Sequence, residues 1–267
     1  MVETDEDGRG GGAAPRALIT GAGGGLGRQV AIDLAARGVS VALADLNAKG
    51  VEETAALCGP NASTLAIIGD LAAGDAPEAA VDTVVAHWGG IDILVNNAGY
   101  GGIERFLEMT AALWDRTFSI NVKALALLTA AAGRVMAGQG SGRIINLTSP
   151  ASRMALPNYT AYAASKAAVD SITRAAAVAL APSGVRVNSV APGMMDTEMQ
   201  RSTEEKLAAI EGRNDVAAFL DERTRRVPVG RRAEIGEVAA VVVWLALDAP
   251  SYITAERLNA SGGLDKD

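Results

Sequence analysis

An apolar run, ALIT at residues 17–20, passes without interruption into GAGGGLG and then into an amphipathic helix predicted over Leu26–Arg37. Thr20 and Gly21 start the turn, and Gly25 and Gly27 complete a G-x-x-x-G-x-G spacing. Glycines let the backbone approach a pyrophosphate closely, and the start of a helix offers unpaired N–H groups with a partial positive charge. Strand, glycine turn and helix in this order are the opening unit of an open α/β sheet that holds a dinucleotide.

The remaining chain repeats the same alternation. Val39–Ala44 reads as a second strand with Asp45 just past its end, where an acid accepts hydrogen bonds from ribose hydroxyls and repels a 2′-phosphate. Neither neighbour, Ala44 or Leu46, is basic, so the expected cofactor is NAD. Strands follow at Thr64–Gly69, Ile91–Val95, Arg143–Leu147, Arg186–Val190 and Arg257–Asn259, and helices at Ala76–Trp88, Leu113–Met136, Tyr159–Ala181 and Ile235–Leu247. Apolar residues make up 49% of the chain but aromatics only 4%, so the core is built from small and branched aliphatics, as in a buried parallel sheet covered by helices. The fold class is α/β: a single-domain Rossmann-type doubly wound parallel sheet of about seven strands with helices on both faces. Met1–Pro15, acidic and then glycine-rich, is expected to be a disordered tail before a domain over 16–267.

The totals narrow the partners. A formal charge of −7 argues against nucleic acid and anionic membrane surfaces. No apolar run approaches the ~18 residues that span a bilayer, and no secretory signal is apparent. The single Cys58 excludes an internal disulfide, and the single His87 makes a metal site unexpected, so a cytoplasmic location is expected.

The chemistry gathers in NLTSPASRMALPNYTAYAASK, residues 146–166, which offers a hydroxyl, a phenol and an ammonium. Lys166 follows Tyr162 by one helical turn, so both share a face, and Ser149 can face them from a strand end. A phenol with a pKa of about 10 is a poor base near neutrality, and a neighbouring ammonium favours its ionised form.

With these motifs in order, namely TGAGGGLG at 20–27, NNAG at 96–99, Asn121 in NVKA, Ser149, YAASK at 162–166 and PGMMDT at 192–197, the chain resembles the short-chain dehydrogenase/reductase family over about Arg16 to Leu264. The resemblance implies that Tyr162 is the acid/base, that Ser149 hydrogen-bonds the reacting oxygen, that Lys166 binds the nicotinamide ribose and lowers the tyrosine pKa, and that Asn121 holds a relay water. It implies further that Asp70 and Leu71 contact the adenine, that Asn97, Ala98 and Gly99 back the cofactor, and that Leu26, Leu46, Pro192, Gly193, Met195 and Thr197 complete its site. One departure is local: Ser152 stands where members often have glycine, and Pro150 follows Ser149, so the loop over the substrate is expected to differ in shape.

Residues 194–227 fall where the family carries a substrate lid, and their apolar spacing predicts two helices. Eight acidic residues there (Asp196, Glu198, Glu204, Glu205, Glu211, Asp215, Asp221, Glu222) read as charges on outer faces and speak against docking an acidic carrier protein. The long lid and Asp45 look most like sugar-alcohol and diol dehydrogenases, with a small polyol, diol or cyclic alcohol as substrate. A 3-oxoacyl-thioester reductase is the alternative, kept open by Arg223, Arg225, Arg226, Arg231 and Arg232. An NAD-binding sensor without turnover is a third reading, disfavoured by the complete Asn-Ser-Tyr-Lys set. The resemblance also implies a homotetramer paired through the helices that hold Asn121 and Tyr162.

Overall fold

The structure is a computed structural model and describes residues 14–265. Seven strands, β1 (Arg16–Thr20), β2 (Ser40–Asp45), β3 (Thr64–Ile68), β4 (Ile93–Asn96), β5 (Gly142–Leu147), β6 (Val185–Pro192) and β7 (Arg257–Ala260), form one sheet. Its order is β3-β2-β1-β4-β5-β6-β7, with every pairing parallel. The order reverses between β1 and β4, which opens a crevice outside their C-terminal ends.

Alternation along the strands divides the core in two. Ala17, Ile19, Val41, Leu43, Val95 and Ile145 face α1 (Gly25–Ala36), α2 (Ala48–Leu57) and α9 (Ile235–Leu247). Leu18, Ala42, Leu94, Ile144 and Val187 face α3 (Ala76–Trp88), α5 (Leu125–Gln139) and α6 (Thr160–Leu180). Period two along a strand buried on both faces gives this partition.

Several boundaries differ from the sequence expectation. Asp45 is the last residue of β2 rather than the residue beyond it, and Asn47 caps α2, accepting from the Gly50 N–H at 3.1 Å. The expected tail lies outside the described residues except for Ala14 and Pro15, and the Pro15 carbonyl accepts from the Ser40 N–H at 2.8 Å, which ties residue 15 to the sheet. The helix expected over Leu113–Met136 comprises α4 (Ala111–Phe118), a π turn (Ser119–Ala124) and α5. Contrary to the expectation that no stretch is long and apolar enough for a bilayer, Ala111–Gln139 passes on length and mean hydropathy. Leu128, Ala132 and Met136 on it are buried against the sheet, as in a core helix.

Residues after β6 carry α7 (Glu198–Ile210) and α8 (Val216–Arg225). Leu207, Ala208 and Phe219 make a small separate core with Ile103, and Thr203 Oγ1 donates to the Gly101 carbonyl at 3.3 Å.

Gly27 fixes how α1 meets the turn. A Cβ there would overlap the Gly21 carbonyl oxygen and crowd the Asn97 side chain. Gly27→Ala is expected to destabilise the fold by about 1–3 kcal/mol, since backbone rather than a flexible side chain must yield. Urea denaturation monitored by circular dichroism measures it, and a loss within error of zero would show that α1 can shift freely.

Candidate active site

The glycine turn is built as an anion-accepting start to α1. Gly21 holds φ of +66° with its carbonyl facing Asn97, whose Nδ2 donates to the Thr20 and Gly21 carbonyls at 3.0 and 3.1 Å. Thr20 Oγ1 in turn accepts from the N–H groups of Asn97 and Ala98, both at 3.0 Å. Thr20 is therefore a buried strut between β1 and β4, and Gly27 is packed behind the turn; neither lines the cleft. Gly21, Gly25 and Leu26 do line it.

A cleft of about 580 Å³ runs along the C-terminal edge of the sheet. Its walls take in Asp45, Leu46, Asp70, Leu71, Asn97, Ala98 and Gly99 on one side of the crevice, and Ser149, Tyr162, Lys166, Pro192, Gly193, Met195 and Thr197 on the other. The Asp45 carboxylate accepts from the Gly23 N–H at 2.8 Å and the Asn47 N–H at 2.9 Å through different oxygens, so each oxygen keeps an unused lone pair. Gly23 escaped the motif spacing, yet a Cβ there would lie 2.9 Å from the Asp45 carboxyl carbon. Arg28 is no rival for a phosphate here: it is spent on Thr54, Glu53 and the Gly23 and Gly50 carbonyls.

At the other end, β5 delivers Ser149 just past its last residue, and Ser149 Oγ caps the short turn Pro150–Ser152 by accepting from the Ala151 N–H at 3.2 Å. Burial pushes the Tyr162 phenol above its ordinary value, partly opposed by the nearby Ser149 hydroxyl, which favours the ionised form. Lys166 Nζ donates to the Leu147 carbonyl at 2.7 Å and lies 5.8 Å from the Tyr162 ring centroid. Burial pulls Lys166 down to about 8, partly opposed by Asp170. Among the protein's own groups, burial first and then Ser149 act on Tyr162.

Asn121 is fully buried in the π turn and does not line the cleft. Its Oδ1 accepts from the Tyr100 N–H at 2.7 Å, and its Nδ2 donates to the Tyr100 carbonyl and to Ser165 Oγ, both at 3.0 Å. It joins the loop after β4 to α6. A Cβ on Gly99 would lie 3.4 Å from Asn121 Oδ1 and 3.7 Å from Lys166 Nζ, which places that loop between the two.

The altered loop has a structural partner that sequence reading missed. Ser152 Oγ donates to Asp170 at 2.7 Å, and Arg257 Nη2 donates to the Ser149 carbonyl at 3.1 Å and lies 2.5 Å from Asp265. The turn that holds Ser149 is thereby clamped to α6 and β7. Tyr100, Met154, Leu156, Tyr159 and Met199 also line the cleft, although no motif spacing marks them; Arg223, expected only as part of a basic patch, lines it too.

A doubly wound sheet with a dinucleotide-shaped crevice, ending in a phenol, a hydroxyl and an ammonium, defines an oxidoreductase of CH–OH groups that uses a nicotinamide dinucleotide. Comparison with known proteins agrees. A family model described as enoyl-(acyl carrier protein) reductase matches residues 21–265. D-threitol dehydrogenase of Mycolicibacterium smegmatis is 36% identical over 249 residues, covering 92% of this chain and 91% of that protein. Among solved structures, NAD+-bound xylitol dehydrogenase superposes with a TM-score of 0.88 at 32% identity, over 94% of this chain and 99% of that one. An actinorhodin polyketide ketoreductase with NADPH does so at 0.90 and 31%, over 95% and 98%. The chain belongs to the short-chain dehydrogenase/reductase family.

The depressed Lys166 predicts a pH signature. Its folded value of about 8 is below the ordinary 10.5, so the unfolded chain binds more protons between these values and stability rises with pH there. Relative to Lys166→Met, wild-type stability should gain about 2 kcal/mol between pH 8 and pH 10. Denaturant curves at both pH values check this, and parallel behaviour of the two proteins would refute it.

Proposed function

We propose that the protein is an NAD(H)-dependent dehydrogenase that interconverts a secondary alcohol, in a small polyol, diol or cyclic compound, and its ketone, with Tyr162 as the acid/base. The observation that carries this is the meeting of Ser149, Tyr162 and Lys166 at one end of a cleft whose other end carries Asp45. The nicotinamide accepts or supplies the hydride. Ser149 holds the reacting oxygen by hydrogen bonding, and Tyr162 moves the proton. With its phenol raised by burial, Tyr162 is a proton donor at neutral pH, the form that ketone reduction needs, and oxidation gains as pH rises. Lys166 carries its charge below about pH 8 and from there favours a developing phenolate. Asn121 positions the Tyr100 loop and α6, and the free lone pair of its Oδ1 is its remaining valence for a relay water.

Four of the five arginines that kept the thioester-reductase alternative open have carboxylate partners within the chain. Arg223 and Arg232 contact Glu204, Arg231 pairs with Glu237, and Arg226 pairs with Glu222. Polyol specificity draws support from the threitol and xylitol enzymes among the relatives. A homotetramer and a cytoplasmic location belong to the same proposal; Ala167 on α6 is exposed and Ala163 and Ala168 are half-buried, a slim surface face suited to pairing helices.

Two outcomes test the reading. NADP(H) should bind on the order of a hundredfold more weakly than NAD(H), because Asp45 loses a charge-assisted bond and meets a phosphate; equal dissociation constants would remove Asp45 from this role. Tyr162→Phe should lower turnover by roughly 10²–10⁴-fold while NADH binding persists. In the wild type, oxidation should rise and reduction fall through the alkaline range. Initial rates over polyols, diols and cyclic alcohols measure both, and near-normal turnover by Tyr162→Phe would sink the mechanism.

A further inference from the structure

The lid end of the cleft carries more cation than anion. Glu204, expected on an outer face, is instead buried at 1% exposure inside the lid. Arg232 grips its carboxylate with both terminal nitrogens, Nη1 at 3.0 Å from Oε2 and Nη2 at 3.1 Å from Oε1, and Gln200 Nε2 adds a bond at 2.9 Å. Arg223 reaches the same carboxylate only through Nε, at 3.4 Å. Two guanidiniums around one carboxylate leave a net charge of +1 (2 − 1), and Arg232 is the better-seated counterion.

Arg223 is the member of this group that faces the cleft, whereas Arg232 is behind it. It also lies near the Tyr159 phenol, whose ionised form it favours, and the Tyr159 ring meets Tyr162 edge-on with centroids 6.3 Å apart. The guanidinium therefore enters the cleft one tyrosine away from the proton-transfer phenol. The surrounding wall offers Met154, Leu156 and Met199, which cannot solvate a charge. Of the carboxylates on the cleft, Asp45 and Asp70 are at the dinucleotide end and Glu198 is exposed. The Arg223 side chain is 21% exposed, so water and a shared carboxylate hold its charge, and an anion entering the cleft would exchange that water for a charge-assisted bond.

We propose that Arg223 recognises a carboxylate on the alcohol substrate, so that the site takes a hydroxy acid, such as an aldonic acid or a hydroxylated cycloalkane carboxylic acid. The terminal nitrogens of a guanidinium form a fork matched to a planar carboxylate. A phosphate dianion would bring two charges to the Arg223–Arg232–Glu204 group, which has one excess cation; Arg226, which also lines the cleft, is paired with Glu222. The inference rests on the alcohol-dehydrogenase reading of the same site, and the test is chosen to separate the two.

Cyclohexanecarboxylate and cyclohexanecarboxamide have no alcohol to oxidise, so their binding reports the anion site alone. Calorimetric titration into the protein saturated with NADH should give a carboxylate affinity roughly tenfold or more above that of the amide, as expected for a hydrogen bond to a charged group. Arg223→Gln should erase the preference, and Arg223→Lys, which keeps the charge and the balance with Glu204, should retain part of it. Equal binding of the two compounds by the wild type, binding of neither, or tighter binding of cyclohexyl phosphate than of the carboxylate would each overturn the proposal. Tyr162-dependent oxidation of neutral alcohols is read separately and stands or falls without it.

Discussion

Parallel pairing of all seven strands is the constraint on which everything else depends. It brings every strand's C-terminal end to one edge, where chain polarity leaves groups that the ladder no longer pairs. The protein satisfies them with side chains of the neighbouring strand or helix. Thr20 on β1 receives two N–H groups of the segment after β4. Asn96 and Asn146, opposite one another in register, bond at 2.9 Å, and Asn146 continues to Thr173 on α6 at 3.0 Å. Lys166 takes the last carbonyl of β5. These contacts hold the edge behind the cleft, where a buried polar group left unpaired costs about 1–3 kcal/mol.

Much of this was legible in the residues because local chemistry and global topology agree. The glycine turn needs left-handed Gly21 and a bare Gly27, and both appear in the motif as spacing. The limits of α3 and α9 coincide with their apolar periodicity, since each is a surface helix with one buried stripe. What stayed hidden depends on contacts between residues far apart in the chain. Ser152 looked like a lost glycine, but it is half of a bond to Asp170, 18 residues on, and Arg257 completes the clamp from β7. Glu204 looked like one more solvated charge until Arg232, 28 residues later, met it inside the lid. No window of sequence contains either pair.

Three buried charges, Lys166, Asp170 and Glu204, stand beside the candidate site and inside the lid. Lys166 stands one turn before Asp170 on α6, and Asp170 opposes the effect of burial on it. Glu204 draws α7 and α8 together, with Gln200 and Arg223 contributed by those two helices. Ion pairs of this kind add little net stability over apolar packing, and losing one partner is expensive. They fix geometry where packing alone leaves choices.

The π turn at Ser119–Ala124 has a consequence for how the long helix can vary. A π turn amounts to one residue inserted into an α-helix, so α4 and α5 are out of phase with each other by about 100°. Asn121 can thus look inward at Tyr100 and Ser165 while Leu128, Ala132 and Met136 still present their stripe to the sheet. Removing a single residue from this turn would regularise the helix and leave its length nearly intact, yet one half would then carry its face away from its target. The irregular turn lets one rod serve two separately oriented surfaces, and it holds the helix to a fixed residue count between them.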